Sequence, residues 1–406
     1  MKVLYFHQHF SLPSGSTGIR SYQMAKRLIS SGHEVTMICG SYKGGNTGLV
    51  TPFKRGKRQG MVDGINIIEF ELSYSNSDGF MKRTITFLKF ALKSVFIALT
   101  GKYDLVFATS TPLTAGIPGI FARWLRFKPF VFEVRDLWPE LPKEMGVIKN
   151  PIILWAMSIL EWTSYHSANH IIGLSPGIIE GIKKRGIAEK RTSMIPNGCD
   201  LSIFSGVQSK WRPVSIAEND FLAIYTGTHG QANGLDAVLD AAKEIIKLKH
   251  DHIKVLLVGQ GRLKNHLQKR VKVEKITNVF FHDPVNKKEL AELMAGADLG
   301  LQILENIPAF YYGTSPNKFF DYISASLPVL TNYPGWIADL LTENESGFSI
   351  PPDDPVRFAE VIIHCSNNKQ KLSIMGSNAL KLAIREFDRD NLSQKFVKVL
   401  ELMITK

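Results

Sequence analysis

Cysteine is scarce in this chain: Cys39, Cys199 and Cys365 are odd in number, far apart and without metal-ligand spacing. That excludes a disulfide framework or a cysteine-based zinc module, and reads as reduced thiols of a cytosolic protein. No His/Asp/Cys cluster suited to a metal stands out either, so no metal site is expected. Acidic residues are also short, 37 against 49 Lys and Arg, for a net charge of +12 over 406 residues. The deficit is concentrated in residues 1–100, with 13 basic residues against 5 acidic ones and a cluster at Lys54, Arg55, Lys57 and Arg58. Such an excess favours nucleic acid, anionic membrane or phosphorylated substrates. Nothing resembling a helix-turn-helix, RRM or zinc module accompanies it, so no nucleic-acid partner is expected. No signal peptide is expected from the opening residues: Met1–Phe6 is a short apolar run that reads as a first buried strand.

What is present is ordinary globular chemistry, 44% hydrophobic and 21% charged, in a chain long enough for two domains with separate cores. Short apolar runs alternate with helical stretches, as parallel sheets covered by helices require. Strands are predicted at Val3–Phe6, Glu34–Ile38, Asn66–Phe70, Leu105–Ala108, Phe130–Val134, His170–Gly173 and Thr192–Ile195. The pattern breaks at Ile195–Asp200, IPNGCD, and restarts with Leu222–Thr226, Val255–Val258, Val279–His282, Leu299–Ile303 and Pro328–Thr331. The expectation is two doubly wound α/β domains facing each other across a cleft, over residues 1–205 and 206–385. Residues 386–406 read as a C-terminal helix able to cross back to the first domain. Ligands of such sheets bind beyond the carboxyl ends of the strands.

Gly313–Tyr322, GTSPNKFFDY, is the most informative segment. Thr314, Ser315, Pro316 and Asn317 lead into a helix start, and Lys318 adds an ammonium group beside it, which suits a diphosphate. Asp321, one turn on, is placed to accept from ribose hydroxyls. The alternative is a plain capped helix with Ser315 as N-cap and Pro316 first, but a cation in the first turn opposes the helix dipole. Ser14-Gly15-Ser16-Thr17-Gly18 follows the first strand and opens a helix, where Gly15 and Gly18 let backbone approach a ligand. In Val131–Glu140, VFEVRDLWPE, a strand ends in Glu133-Val134-Arg135-Asp136 at its carboxyl edge. There Asp136 can orient an acceptor hydroxyl or take its proton, and Arg135 can neutralise phosphate; the alternative is an Arg–Asp surface pair. Val258-Gly259-Gln260-Gly261-Arg262 has Lys264 in place of the third glycine of a dinucleotide fingerprint, which argues against NAD; Gly261 and Arg262 can still face a phosphate.

Met81–Leu99 carries Lys82, Thr86, Lys89 and Lys93 on one stripe at 100° per residue, with Phe, Leu, Ile, Val and Ala around it. The lysines interrupt it too often for a bilayer span, which needs about 20 mostly apolar residues. It suits either an anionic membrane interface or packing on the sheet with its lysines in water.

Taken together the segments resemble glycosyltransferase family 4, the retaining nucleotide-sugar transferases of the GT-B fold. The resemblance runs through the glycine loop before RLISSGHEVT, SANHIIGLSPG (Ser167–Gly177), IPNGCD, Tyr225-Thr226-Gly227 to Gly234-Leu235-Asp236, VGQGR, and SPNKFFDY followed by LPVL. It is strongest to the branch that builds bacterial O-antigen and capsule repeat units, including N-acetyl-L-fucosamine transferases of the WbuB type. Departures are visible. The family's paired glutamates fall at Gly313 and Asp321, its Arg and Lys after the first strand of the second domain at Thr228 and Asn233, and its His-Asp at Arg135-Asp136. The resemblance implies transfer of a sugar, such as an N-acetylated amino sugar, from a UDP donor to a polyprenyl-diphosphate-linked saccharide. The enzyme would be cytoplasmic, peripheral at the inner membrane face, and without a cofactor or metal. Lys318 and the 314–317 backbone would hold the leaving diphosphate, with Gly227, Gly261 and Arg262 nearby and the Asp283–Val285 backbone reading the base. Rival readings are a sugar-nucleotide 2-epimerase, a catalytically inactive membrane-bound scaffold and, weakest, an NAD-dependent oxidoreductase.

Overall fold

The computed structural model describes residues 1–15, 18–75 and 78–405, so Ser16 and Thr17 of the glycine loop lie outside the described residues. The chain divides into two compact units. The first comprises Met1–Pro196, Gly313–Ser315 and Asp390–Lys406, the second Asn197–Tyr312 and Pro316–Arg389.

The first unit is built on eight strands: β1 (Lys2–Phe6), β2 (Glu34–Tyr42), β3 (Lys57–Val62), β4 (Ile65–Tyr74), β5 (Leu105–Thr109), β6 (Phe130–Val134), β7 (His170–Gly173) and β8 (Thr192–Met194). Their order is β3-β4-β2-β1-β5-β6-β7-β8, and every neighbouring pair is parallel except β3 with β4. β5 and β6 are buried along their whole length, the consequence of near-continuous apolar runs between two helical layers. The order reverses between β1 and β5, which makes their carboxyl ends the topological switch point.

The basic cluster proves to be local architecture. Lys57 and Arg58 open the edge strand β3, where charge discourages further strand pairing. Arg58 is ion-paired to buried Glu69 at 2.8 Å and lies over the Phe53 ring at 4.5 Å. Helices α1 (Arg20–Ser30), α2 (Phe80–Thr100), α3 (Ile117–Leu125) and α4 (Pro151–Ser167) cover the sheet. α2 orients differently from the lysine-stripe expectation. It packs inward through Thr86, Phe90, Ala91, Ser94 and Ala98, so the stripe is interrupted by a buried threonine. Lys82 pairs with Asp78 at 2.7 Å and Lys93 turns onto the Phe70 ring at 5.3 Å. The seam left outside is apolar: Met81, Ile85, Leu88, Leu92 and Phe96. Small side chains choose the packing face because they let the helix approach the sheet closely.

The second unit carries six strands, β9 (Phe221–Thr226), β10 (Ile253–Val258), β11 (Val279–His282), β12 (Leu299–Gln302), β13 (Val329–Thr331) and β14 (Gly347–Ser349), all parallel in the order β11-β10-β9-β12-β13-β14. Its switch point lies between β9 and β12. Helices α5 (Asp236–Lys247), α6 (Lys264–Val273), α7 (Lys287–Ala295) and α8 (Asn317–Ser324) follow strands of this sheet. The last helix, α9 (Arg389–Leu402), starts in the second unit and continues in the first. Arg389 bonds Asp200 through Nε, while Leu392, Phe396 and Leu400 join the core of the first unit, Phe396 edge-on to Phe107 at 4.9 Å.

Candidate active site

At the second switch point the chain leaves β9 through Gly227-Thr228-His229 and leaves β10 through Gly259-Gln260-Gly261. These loops interlock. A Cβ on Gly259 would sit 1.9 Å from the Gly227 oxygen, and one on Gly261 would sit 2.3 Å from the His229 oxygen. Gly227 and Gly259 also hold φ of +141° and +149°, where side chains are strained. Gly227 and Gly261 are therefore demanded by the protein's own packing, before any ligand. Arg262 follows in an exposed turn, and Val285 is half-buried in the loop between β11 and α7. Lys264, read from the sequence only as a missing glycine, is buried. Its Nζ donates to the Gly259 carbonyl at 2.9 Å and pairs with Asp283 at 2.6 Å.

Lys318 reaches this same place from the first turn of α8. Its Nζ donates to the Asn233 side-chain oxygen at 2.8 Å and lies 4.6 Å from the centre of the Tyr225 ring. No carboxylate pairs with it among the described residues. Burial pushes its pKa down to about 7. His229 lies close by, fully buried with neither ring nitrogen partnered, and its pKa is lowered to about 4 by burial and by the charges of Lys264 and Lys318. The helix N-cap is Pro316, not Ser315, and it offers no side-chain cap. Thr314 and Ser315 are half-buried just before it.

Asp321 differs from its expected role. Lys287 Nζ holds both of its carboxylate oxygens, at 2.9 and 3.0 Å, and lies 3.9 Å from Asp200, which binds Arg389. The carboxylate is engaged inside the protein, so any ribose contact would have to share an oxygen with Lys287. Burial raises its pKa while the Lys287 charge opposes that.

The first unit places a second polar group at its own switch point. His7, Gln8 and His9 follow β1, Ser110 and Thr111 follow β5, and Arg135 and Asp136 follow β6. The Arg135 N–H donates to Ser110 Oγ at 2.9 Å, and Thr111 Oγ1 donates to Asp136 at 3.1 Å. Arg135 and Asp136 form no ion pair with each other, so the surface-pair alternative is not what the fold contains. Burial raises the Asp136 pKa against the pull of Arg135 and the Thr111 bond. Glu133, grouped with them in the sequence, turns inward to pair with Arg20 at 2.7 Å. Gly15 packs on Ser11, whose Oγ would lie 2.1 Å from an added Cβ, and Gly18 is exposed ahead of α1. The sequence reading passed over His7-Gln8-His9 and Lys264. Their signal was position: His7-Gln8-His9 directly past the carboxyl end of β1, and Lys264 at the start of the helix that follows β10.

Comparison with known proteins agrees with this layout. Residues 17–203 match a family described as Glycosyltransferase Family 4, and residues 220–368 match Glycosyl transferases group 1. WcaI of Escherichia coli K12, named for glycosyl transfer in colanic acid biosynthesis, is 21% identical over 317 residues, covering 75% of this chain and 76% of its own. The sucrose-phosphate synthase of Thermosynechococcus elongatus superposes with a TM-score of 0.77 at 16% identity, covering 100% of this chain and 99% of that one. HepE of Anabaena, solved with UDP-glucose, superposes with a TM-score of 0.69 at 18% identity over 99% of both chains. With a family 4 domain in its first half, a group 1 domain in its second and two parallel-sheet α/β units of the GT-B type, this chain belongs to glycosyltransferase family 4 and is a glycosyltransferase.

Proposed function

We propose that the protein transfers an N-acetylated amino sugar, such as N-acetyl-L-fucosamine, from UDP to a polyprenyl-diphosphate-linked saccharide during assembly of a bacterial O-antigen or capsule. The observation that carries the donor half is Lys318, an ammonium without a carboxylate partner, at the switch point and in the first turn of α8. A diphosphate supplies the missing negative charge and accepts from the helix N-terminus. The colanic acid role in the name of WcaI and the UDP-glucose held by HepE support the same reading. In the transfer the bond from the anomeric carbon to UDP breaks and a bond to the acceptor oxygen forms on the same face. The acceptor proton leaves with the diphosphate. The protein's part is positioning and charge stabilisation. Arg262, the backbone of Gly227 and Gly261, and the 314–317 segment would lie near the diphosphate, with Val285 near the base. Because Lys318 and the N-terminus of α8 would carry the charge, we expect activity to survive chelation of divalent metals by EDTA; its loss would assign that charge to a metal.

Thermal stabilisation by UDP, GDP, NAD, UDP-GlcNAc and UDP-N-acetyl-fucosamine tests the donor. A ligand at about 100 times its Kd stabilises by about 2.7 kcal/mol. Stabilisation by UDP and one UDP-sugar supports the reading, a response to NAD alone overturns it, and silence from all favours a scaffold. At the acceptor, Asp136→Asn is expected to lower kcat by about 100-fold by loosening the orientation of the acceptor hydroxyl, with UDP-sugar affinity little changed. An unchanged kcat returns Asp136 to a structural role.

The apolar surface of the first unit supports peripheral membrane association. Beside the α2 seam, α3 exposes Phe121, Trp124 and Leu125, and its neighbour α4 exposes Ile152, Trp155, Ile159 and Trp162. Neither α2 nor α3 contains an acid, and the single one in α4, Glu161, is buried and paired with Arg185 at 2.6 Å. Arg123, Arg126 and Lys128 adjoin this surface. Aromatic and aliphatic side chains among unopposed cations suit the boundary of an anionic bilayer. No helix among the described residues is long and apolar enough to cross a membrane. Leu92→Glu combined with Trp155→Glu is expected to release the protein from phosphatidylglycerol vesicles in a flotation assay. Wild-type protein that never floats with the vesicles would sink the assignment.

A further inference from the structure

We propose that Arg83 and Arg135 form a diphosphate site at the carboxyl end of β1, with the His9 imidazole as a third polar contact, and that its ligand is the diphosphate of the lipid-linked acceptor. This rests on the acceptor class proposed above and names the residues that hold its charged group.

The site starts from His9, the third residue past β1 at the switch point. Its ring stacks on Tyr74 with centroids 4.4 Å apart, and Tyr42 and Phe87 stand at 5.4 and 6.0 Å. These rings fix the imidazole in place, yet its Nε2 is buried without a partner. Both Arg135, just past β6, and Arg83, from the first turn of α2, act electrostatically on this ring. The Arg83 guanidinium lies 5.8 Å from the centre of the Tyr74 ring and hydrogen-bonds its hydroxyl. Two cations thus approach one neutral imidazole.

The nearby carboxylates are committed elsewhere. Asp78 is paired with Lys82 at 2.7 Å, Glu133 with Arg20 at 2.7 Å, and Asp136 is bonded to Thr111 at 3.1 Å. Among the described residues neither Arg83 nor Arg135 makes an ion pair. Behind them His7 and Gln8 are buried, with His7 Nδ1 and both amide atoms of Gln8 unpartnered. Buried polar groups of a folded protein normally have partners, and an unmatched set marks a place for a ligand or water. Two guanidiniums and an imidazole present donors and positive charge, which fits the many acceptor oxygens of a diphosphate. A neutral sugar, whose hydroxyls donate as much as they accept, matches this set less well. Arginine adds forked geometry suited to phosphate oxygens.

The lipid source comes from the acceptor class proposed above. Arg83 lies on the side of α2 that carries Phe87 and buried Phe90, opposite the exposed seam of Met81, Ile85 and Leu88.

The test uses farnesyl diphosphate as the probe, titrated into the full chain with UDP saturating the donor site. Wild-type protein is expected to bind it about ten- to a hundred-fold more tightly than farnesol, the worth of one or more charged hydrogen bonds. Arg83→Gln is expected to erase most of that difference, and Arg83→Lys to keep part of it. The lysine variant keeps the comparison readable if the glutamine variant fails to fold. Farnesol binding as tightly as farnesyl diphosphate, or Arg83→Gln keeping the full preference, would overturn the site. Inorganic pyrophosphate binding as tightly as farnesyl diphosphate would overturn the lipid source. The preceding UDP titration stands apart: its failure counts against the donor reading and leaves the farnesyl comparison intact.

Discussion

Glu133→Ala should lower the stability of the first unit by about 3–5 kcal/mol, the range for stranding one partner of a buried ion pair. Arg20 and Glu133 are 2% and 0% exposed. Arg20 donates to Glu133 through Nε and Nη2 at 3.0 and 2.7 Å, and to the Pro196 and Ile195 carbonyls at 2.6 and 2.8 Å. Thr109 donates to the other glutamate oxygen at 2.8 Å. One side-chain pair therefore ties the start of α1 to β5, β6 and the exit of β8. The two partners differ in what they leave behind. A glutamate without its arginine can take a proton, but an arginine cannot lose one, so Glu133→Ala should be more harmful than Arg20→Met. The double replacement Arg20→Met/Glu133→Leu should recover much of the loss, because no charge is left in the interior. Urea unfolding of the three variants checks this ranking, and equal costs for both single variants would refute it. The pH sign follows. Burial acts to raise the Glu133 pKa, but Arg20 outweighs it and the net shift is downward. Its contribution is thus complete above the unfolded glutamate pKa of about 4.3 and lost as pH falls through the lower native value.

That pair also shows where sequence reading stops. β6 was legible as a strand because FVFEV is a short, nearly unbroken apolar run, and the same logic found the other long buried strands. It missed β3, KRQGMV, whose charges belong to an edge, and β14, GFS, whose single apolar residue makes no run. Glu133 looked like one of three charged residues at a ligand-facing edge. Its partner Arg20 is 113 positions away, and no local pattern shows which carboxylate will be claimed by a distant cation. The Lys287 partner of Asp321 was hidden for the same reason, since it lies 34 residues earlier. On α2 the period was right, and Lys82 and Lys89 do stay exposed, but Thr86 of the same stripe is buried. Helical spacing defines stripes, but the contact face was set by Thr86, Ala91, Ser94 and Ala98, which are small enough to meet the sheet. Lys318 was legible because a lysine in the first turn of a helix has no local justification. The Lys264 and His229 around it were not, because interlocking of the loops after β9 and β10 brings them there.

Lys318→Met should weaken UDP binding by about ten- to a hundred-fold, the loss of one charged hydrogen bond to phosphate. It should also abolish a pH dependence that the wild-type protein shows. With its pKa lowered to about 7 by burial, Lys318 is substantially neutral in the free protein above neutrality. An unfolded lysine stays charged to about pH 10.4. Between these values the unfolded chain holds more protons, so this lysine's unfavourable contribution to stability is full below pH 7 and relieved as pH rises. A bound diphosphate acts the other way, favouring the ammonium and raising its pKa. UDP affinity should therefore fall by up to about tenfold for each pH unit above 7, until the pKa of the complex is reached. Binding at pH 8 should take up close to one proton, visible in calorimetry as a heat that varies with the buffer's ionisation enthalpy. Lys318→Met removes both effects and, with no charge to bury, should leave the free protein no less stable at pH 6 than the wild type. His229, neutral with a pKa of about 4, does not titrate in this window and cannot supply the proton dependence. Tyr225, whose pKa is raised by burial, cannot either. A flat pH profile in the wild type, or proton uptake that persists in Lys318→Met, would show that another group meets the diphosphate.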